Sequence, residues 1–414
     1  MSAFPDGFLW GVATAGHQVE GNNTNSDIWL LEHVPGTFFA EPSGDAVDHY
    51  HRFADDIALI ASLGFTSYRF SLEWARIEPE PGEFSTAELD HYRAMLLACR
   101  EHGLKAIVTF HHFSSPRWLL AAGGWEDAGT PALFARFCDV ATAHLGDLID
   151  VACTLNEPNL PFLLRELGIA GEPPEARGQV PLWAGAARAL GIEAAKVAPF
   201  QFTATEAGYD VKLAAHRAGR DAIKARRPDL PVGWTLANSD IQAAPGGAER
   251  ADGVRWAVNE RFLEASRGDD FVGIQTYGRT MIGPDGVDGR VPEGTPTNQM
   301  GEEIYPRAIG ATIREAWRVA GVPVLVTENG LATTDDAQRV AYFETAVGCV
   351  AECVAEGVDV RAYVAWTAFD NFEWIFGYGP HFGLVAVDRA TQQRTPKPSA
   401  HWLGDVARTN GAGL

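Results

Sequence analysis

The chain has 414 residues and a formal net charge of -21, enough length for two or three average domains or for one large one. So acidic a chain repels phosphate backbones and anionic lipid, which excludes nucleic acid and membrane surfaces as partners and leaves neutral or cationic small molecules. Hydrophobic residues make up 46% of it without any apolar run near the roughly 18 residues of a membrane span, so the composition predicts a soluble globular protein with a large core.

The first residues, Met1 to Phe8, include Asp6 and no Lys or Arg, and lack the basic region, apolar run and cleavage site of a secretory signal. This predicts a cytoplasmic protein. Short apolar runs then predict strands at Phe8 to Ala13, Ser67 to Ser71, Ala106 to Phe110, Val151 to Leu155, Val232 to Leu236, Phe271 to Gln275, Val324 to Thr327 and Ala362 to Thr367. Their apolarity is unbroken, as parallel strands covered on both faces require. Helical spacing lies between them. One helix runs through Val47, Tyr50, Ala54, Ile57 and Ala61, with Asp45 as its N-cap and Gly64 as its stop. Others are predicted from the capping-box pattern Ser85 to Glu88 up to Gly103, from Pro131 to Gly146, and through Ile309, Ile313 and Trp317 to Gly321.

Eight strands alternating with helices predict a single (β/α)8 barrel over residues 1–414, with a frayed tail after Arg408. Periodicity alone leaves a doubly wound sheet as the alternative. Loop-rich stretches, Gly168 to Val180 and Gly283 to Asn298, follow the fourth and sixth strands and belong, on a barrel, to the C-terminal face where active sites are built.

Two glutamates stand just beyond predicted strands, Glu157 in Thr-Leu-Asn-Glu-Pro and Glu328 in Val-Thr-Glu-Asn-Gly. Either motif alone is weak, since most loop glutamates are simply solvated; a pair opening onto one barrel face is different. Glycosidic cleavage needs a proton donor at the leaving oxygen and a second carboxylate at the anomeric carbon, and a separation of roughly 5–5.5 Å gives retention through a covalent glycosyl-enzyme. Carboxylates that close cannot both ionise easily, so the one without cationic neighbours keeps its proton. The pairing does not say which is which.

Competing sites are set aside on geometry. His111 and His112 are neighbours on a strand and point to opposite faces, and His49 and His51, two apart on a helix, do not face each other, so neither pair is expected to hold a metal. Trp29, Trp125 and Trp234 are expected to pack rather than bind. Gly283, Gly286 and Gly289 lie in a polar loop with no helix opening after them, so neither nucleotide nor other cofactor is expected. The five cysteines, Cys99, Cys138, Cys153, Cys349 and Cys353, have no Cys-x-x-Cys spacing and are expected as reduced, buried thiols.

Six segments occur in the order that resembles glycoside hydrolase family 1, across nearly the whole chain. They are Phe8-Leu-Trp-Gly-Val-Ala-Thr-Ala-Gly-His-Gln-Val-Glu-Gly21, Tyr68-Arg-Phe-Ser-Leu-Glu-Trp-Ala-Arg-Ile77, the strand ending at His112, Asn156-Glu-Pro158, Glu328-Asn-Gly330, and Trp366 through Asp370-Asn-Phe-Glu-Trp374 to Phe382-Gly383. The resemblance implies a TIM barrel and a retaining β-glycosidase, a β-glucosidase foremost, with Glu157 as acid/base and Glu328 as nucleophile. It implies Arg69 beside Glu328, Tyr277 hydrogen-bonded to it, and Asn156 at the sugar 2-hydroxyl. Gln18, His112, Glu373, Trp374 and Phe382 are implied as the sugar pocket, with Trp366 as its floor. An unphosphorylated glucoside is the implied partner, with β-galactosidase and β-fucosidase side activity; a transglycosidase or a non-catalytic carbohydrate-binding protein are the alternatives. Four positions depart from the family pattern. Gln275 replaces an asparagine, Phe113 and Glu302 replace tryptophans, and His381 replaces a more basic residue, which bears on the leaving group rather than on bond cleavage.

Overall fold

Each apolar run becomes a strand because it is covered on both sides, by the barrel interior and by a helix. The computed structural model describes residues 3–169, 171–288, 291 and 293–414; Gly289 lies outside them. The strands are β1 (Leu9–Ala13), β2 (Ser67–Ser71), β3 (Lys105–His111), β4 (Val151–Asn156), β5 (Val232–Ala237), β6 (Val272–Gln275), β7 (Val324–Glu328) and β8 (Val360–Trp366), each parallel to the next. Strand β8 returns to β1, Leu9 opposite Ala362 and Ala13 opposite Trp366. That closure makes a TIM barrel and leaves no edge, which rules out the doubly wound alternative.

The outer layer follows the same logic. Helices His49–Ser62, Thr86–Glu101, Thr130–Leu145 and Ala308–Ala320 carry the buried faces that their spacing predicts, and Glu206–Arg226, Asp336–Ala355 and Pro398–Thr409, not among the predicted elements, complete the layer with buried faces of their own. Between β5 and β6 the helix is composite, Ala248–Arg255 passing through a π-helical turn, Trp256–Glu260, into Arg261–Ala265.

Two caps differ from expectation. The helix predicted through Val47 to Ala61 begins at His49, not behind Asp45, because Ala46 and Asp48 adopt left-handed backbone angles that an α-helix does not admit; Asp45 instead accepts a hydrogen bond from Asn22 Nδ2 at 2.7 Å. Of the Ser85 to Glu88 capping box only half forms. Ser85 Oγ accepts from the Glu88 N–H at 3.3 Å, while the Glu88 carboxylate is drawn to the Tyr50 hydroxyl. Where fraying is expected after Arg408, Asn410 accepts from Trp10 Nε1 at 2.9 Å and donates to the Phe4 carbonyl at 3.0 Å. Two small sheets outside the barrel, Asp240–Ala243 with Arg279–Gly283 and Gly286–Val287, and Val385–Asp388 with Gln393–Pro396, have no counterpart among the predicted strands.

All five cysteines are free and buried. Among the described residues no helix is long and apolar enough to cross a membrane.

Candidate active site

The C-terminal ends of the strands converge on one cavity of about 440 Å³. His112 follows β3, Asn156 ends β4 with Glu157 next, Thr235 lies in β5, Gln275 ends β6 with Tyr277 two residues on, Glu328 ends β7 and Trp366 ends β8. Arg69 comes from β2, and Gln18 from the short helix Gly16–Val19 after β1. Glu157 and Glu328 both line the cavity, as do His112, Tyr277, Trp366, Glu373, Trp374 and Phe382, and Gln18, Arg69 and Asn156 adjoin it beside Glu373, Glu328 and His112.

Backbone conformation helps to aim this ring of side chains. Glu157, Phe113 and Trp374 all have positive φ (49°, 66° and 49°), a conformation that L-residues avoid unless their surroundings impose it. Glu157 is fixed there by its N–H, which donates to the Thr235 carbonyl at 2.7 Å. Gly330 is needed for close approach, since a Cβ at that position would sit 2.0 Å from the Trp366 carbonyl oxygen.

The two carboxyls have different surroundings. Arg69, fully buried, places Nη1 2.5 Å from Glu328 Oε1, and the Tyr277 hydroxyl donates to Oε2 at 2.7 Å. Among the described residues the Glu157 carboxyl has no ion-pair or hydrogen-bond partner of that kind. Burial, then the charge of Glu328, push the Glu157 carboxyl well above the usual carboxylate range. Burial also raises Glu328, but the Arg69 charge and the Tyr277 hydrogen bond act against it. The proton that the pair keeps near neutral pH therefore resides on Glu157, and Glu328 is the ionised member.

Asn156 is held from three strands. Its Oδ1 accepts from Arg69 Nη2 at 2.6 Å, Thr235 Oγ1 at 2.9 Å and Gln275 Nε2 at 2.9 Å, which turns Nδ2 toward His112 Nε2 at 3.1 Å. Burial and the Arg69 charge keep His112 neutral. This network assigns its acceptor to Nε2 and its proton to Nδ1, which has no protein partner.

Gln18 Nε2 donates to the Phe372 carbonyl at 2.7 Å and lies 3.4 Å from Glu373 Oε2. Its Oε1 is buried without a protein partner, as is Gln275 Oε1. Fixed polar atoms beside the Trp366 and Trp374 faces suit a pyranose, which has hydroxyls to satisfy and an apolar face to stack. Burial and the charge of Glu328 raise Glu373 to about 8, so it is largely protonated at neutral pH and offers both a donor and an acceptor. Among the described lining residues Arg279 is the one Arg or Lys, and Glu303 holds it with two contacts of 2.8 Å.

The departures from the family pattern sort by position. The extra methylene of Gln275 lets its amide reach Asn156. Phe113 meets Trp374 edge-on at 5.1 Å, Glu302 is exposed at the mouth and accepts from Asn298 Nδ2 at 2.9 Å, and His381 sits outside the lining, 3.4 Å from Asp370. His111 turns away from the cavity and meets Ser115 Oγ at 2.9 Å. Trp125 and Trp234 are core residues, and Trp29 does not line the cavity. Among the described residues no group of three or more His, Cys, Asp or Glu is arranged to hold a metal.

Two parts of the site are given no role by the sequence. Thr235 and Gln275 are ordinary strand residues until the fold brings them to Asn156. His17 stacks on Trp374 (5.7 Å between ring centroids, 9° between planes) and is anchored by Glu32 Oε1 at 2.8 Å. It fixes the back of the aromatic wall from a position that periodicity marks as plain core.

The model of glycosyl hydrolase family 1 matches residues 1–268 and 269–412. The chain belongs to glycosyl hydrolase family 1. As a family member and glycoside hydrolase it acts on small-molecule glycosides. It is 31% identical to a β-glucosidase of Agrobacterium sp., over 98% of this chain and 95% of that one, and 32% identical to thermostable β-glucosidase B of Thermobispora bispora, over 99% and 91%. Among solved structures, the β-glycosidase BGL167 is 74% identical and superposes with a TM-score of 0.97, covering 98% of this chain and 97% of that one.

Proposed function

We propose that this family 1 hydrolase is a retaining, exo-acting β-glucosidase that removes one terminal β-D-glucosyl unit, the chain acting as one catalytic unit. Glu328 is the nucleophile and Glu157 the acid/base. The observation that carries this assignment is the asymmetry of the pair: Arg69 and Tyr277 bond Glu328, while burial leaves Glu157 protonated.

In the first step Glu157 protonates the leaving oxygen as Glu328 attacks the anomeric carbon. Esterification removes the charge of Glu328, the pKa of Glu157 falls, and the same carboxyl then takes a proton from water as it attacks. Asn156 Nδ2 and His112 meet the sugar hydroxyls, with the Asn156 contact strengthening as positive charge develops on the ring. The pocket contacts at Gln18, Glu373, Trp374, Phe382 and the Trp366 floor supply binding energy. Glucose and galactose differ at C4, where Gln18 and Glu373 accept either orientation, so β-galactosidase and β-fucosidase side activities are part of the proposal. A related protein from Bifidobacterium breve is named a bifunctional β-D-glucosidase/β-D-fucosidase, which supports it. Five free, buried cysteines support a reducing, cytoplasmic setting.

Hydrolysis of nitrophenyl β-glucoside followed by NMR tests the mechanism. The first sugar formed should be β-glucose; α-glucose, or no turnover of gluco, galacto and fuco substrates alike, sinks the proposal. A pH profile tests the electrostatics. Ionisation of Glu328 sets the acid limb and proton loss from Glu157 the basic limb. Tyr277→Phe removes a hydrogen bond that favours the ionised form of Glu328, so its pKa rises and the acid limb of kcat/KM moves up by about one pH unit. An acid limb that stays in place or moves down contradicts the role given to Tyr277.

A further inference from the structure

Helix Leu160–Glu166 starts directly beyond Glu157, whose carbonyl accepts from the Leu160 N–H at 3.0 Å. Leu160, Leu163, Leu164 and Leu167 recur at the spacing of one helical face, and all four line the cavity. A stripe of that kind ordinarily faces a core. Here it runs outward, the 1.5 Å rise putting Leu167 about 10 Å beyond Leu160, and its outer end is open: Leu167 is 39% exposed and Ile169 53%. Phe376, 45% exposed, lines the same cavity from the loop after β8.

Apart from Glu302 at the mouth, the polar groups of Ser239, Thr280, Arg279, Asn238 and Gln201 on this side are either committed or lie deep. The Ser239 and Thr280 hydroxyls bond each other at 2.7 Å, and Glu303 holds Arg279. Both amide atoms of Asn238, and Gln201 Oε1, have no protein partner but are buried. Among the described residues free hydrogen-bonding capacity therefore lies inside and, at the mouth, on Glu302, while the outer wall along Leu160 to Ile169 is apolar. A second sugar in the leaving-group position would set its hydroxyls against leucines, and Glu302 gives its ring no flat surface for stacking.

We infer that the leaving-group side of this site takes an apolar aglycone, so that the natural substrate class is amphiphilic β-glycosides with at most one polar group next to the scissile oxygen. The inference rests on the β-glucosidase reading above. An apolar body lying on this wall exchanges water-exposed leucine surface for contact, and a disaccharide does not.

The series of n-alkyl β-glucosides from ethyl to octyl tests it, below the micelle concentration, because leaving-group chemistry is constant along the series. The expected result is a kcat/KM that rises about threefold per methylene over the first few members, cellobiose turned over no faster than ethyl glucoside, and an octyl-to-ethyl ratio that falls about tenfold in the Leu167→Asn/Ile169→Asn variant. A flat series, preference for cellobiose, or a ratio unchanged in the variant overturns the inference while nitrophenyl β-glucoside is still cleaved. Loss of nitrophenyl β-glucoside cleavage in the wild type overturns the underlying reading, and this inference with it.

Discussion

Glu328→Ala is expected to lower kcat on nitrophenyl β-glucoside by at least about 10⁴-fold, and sodium azide to restore turnover with α-glucosyl azide as product. Without the carboxylate the face of the sugar opposite the leaving group is open to a small anion, and Glu157 still protonates the leaving oxygen, so a single displacement inverts the anomer. Glu157→Ala should differ in kind. With a good leaving group the glycosyl ester on Glu328 still forms, its hydrolysis slows by about 10²- to 10⁴-fold for want of a base, and azide attacks from the side the aglycone has left, giving β-glucosyl azide. Product NMR distinguishes the two. The same anomer from both variants, or the reversed pairing, would falsify the assignment of nucleophile and acid/base.

Arg69→Met should damage both chemistry and stability, and the second loss should depend on pH. Arg69 bonds Glu328 at 2.5 Å and Asn156 at 2.6 Å, with no exposed surface. Removing it takes an electrostatic partner from the nucleophile, and kcat should fall by about 10²- to 10³-fold. Glu328, already raised by burial, rises further without the guanidinium. A carboxyl whose folded-state pKa lies above its unfolded value binds protons on folding, so its contribution is favourable at low pH and is lost as pH climbs through the folded pKa. The variant should therefore be destabilised least where both proteins hold Glu328 protonated, and most, by about 3–5 kcal/mol, where both ionise it. Urea midpoints at pH 5 and pH 8 measure this. A destabilisation that shrinks toward pH 8 contradicts the role given to Arg69.

Much of the fold was readable because burial on two faces leaves a simple trace. All eight strands lie within two residues of the apolar runs, since an alternating pattern would have required an open face. The two glutamates and Arg69 stand where ordered motifs place them. What escaped depends on three-dimensional neighbours. Asp45 reads as a cap by residue type, yet the backbone turns at Ala46 and Asp48 move the helix start. Thr235 carries no periodic or motif signal, Gln275 stands out only as a departure from the family pattern and His17 only as part of the first ordered segment, and it takes closure of the barrel to bring them to Asn156 and Trp374. The stripe from Leu160 to Leu167 has the spacing of a core helix; that it lines the cavity and is exposed at its outer end is a property of what lies across from it.

Closure of the barrel also times the appearance of activity. Gln18 bonds the Phe372 carbonyl, 354 residues further on, and Trp366 ends the strand that pairs with the first. A chain emerging from the ribosome holds Glu157, Arg69 and His112 long before it has Glu328, and it has no pocket floor until its last strand is made. Catalytic competence should then arrive in one step near the end of synthesis, and a nascent chain should carry Glu157 without the means to cut any glycoside around it.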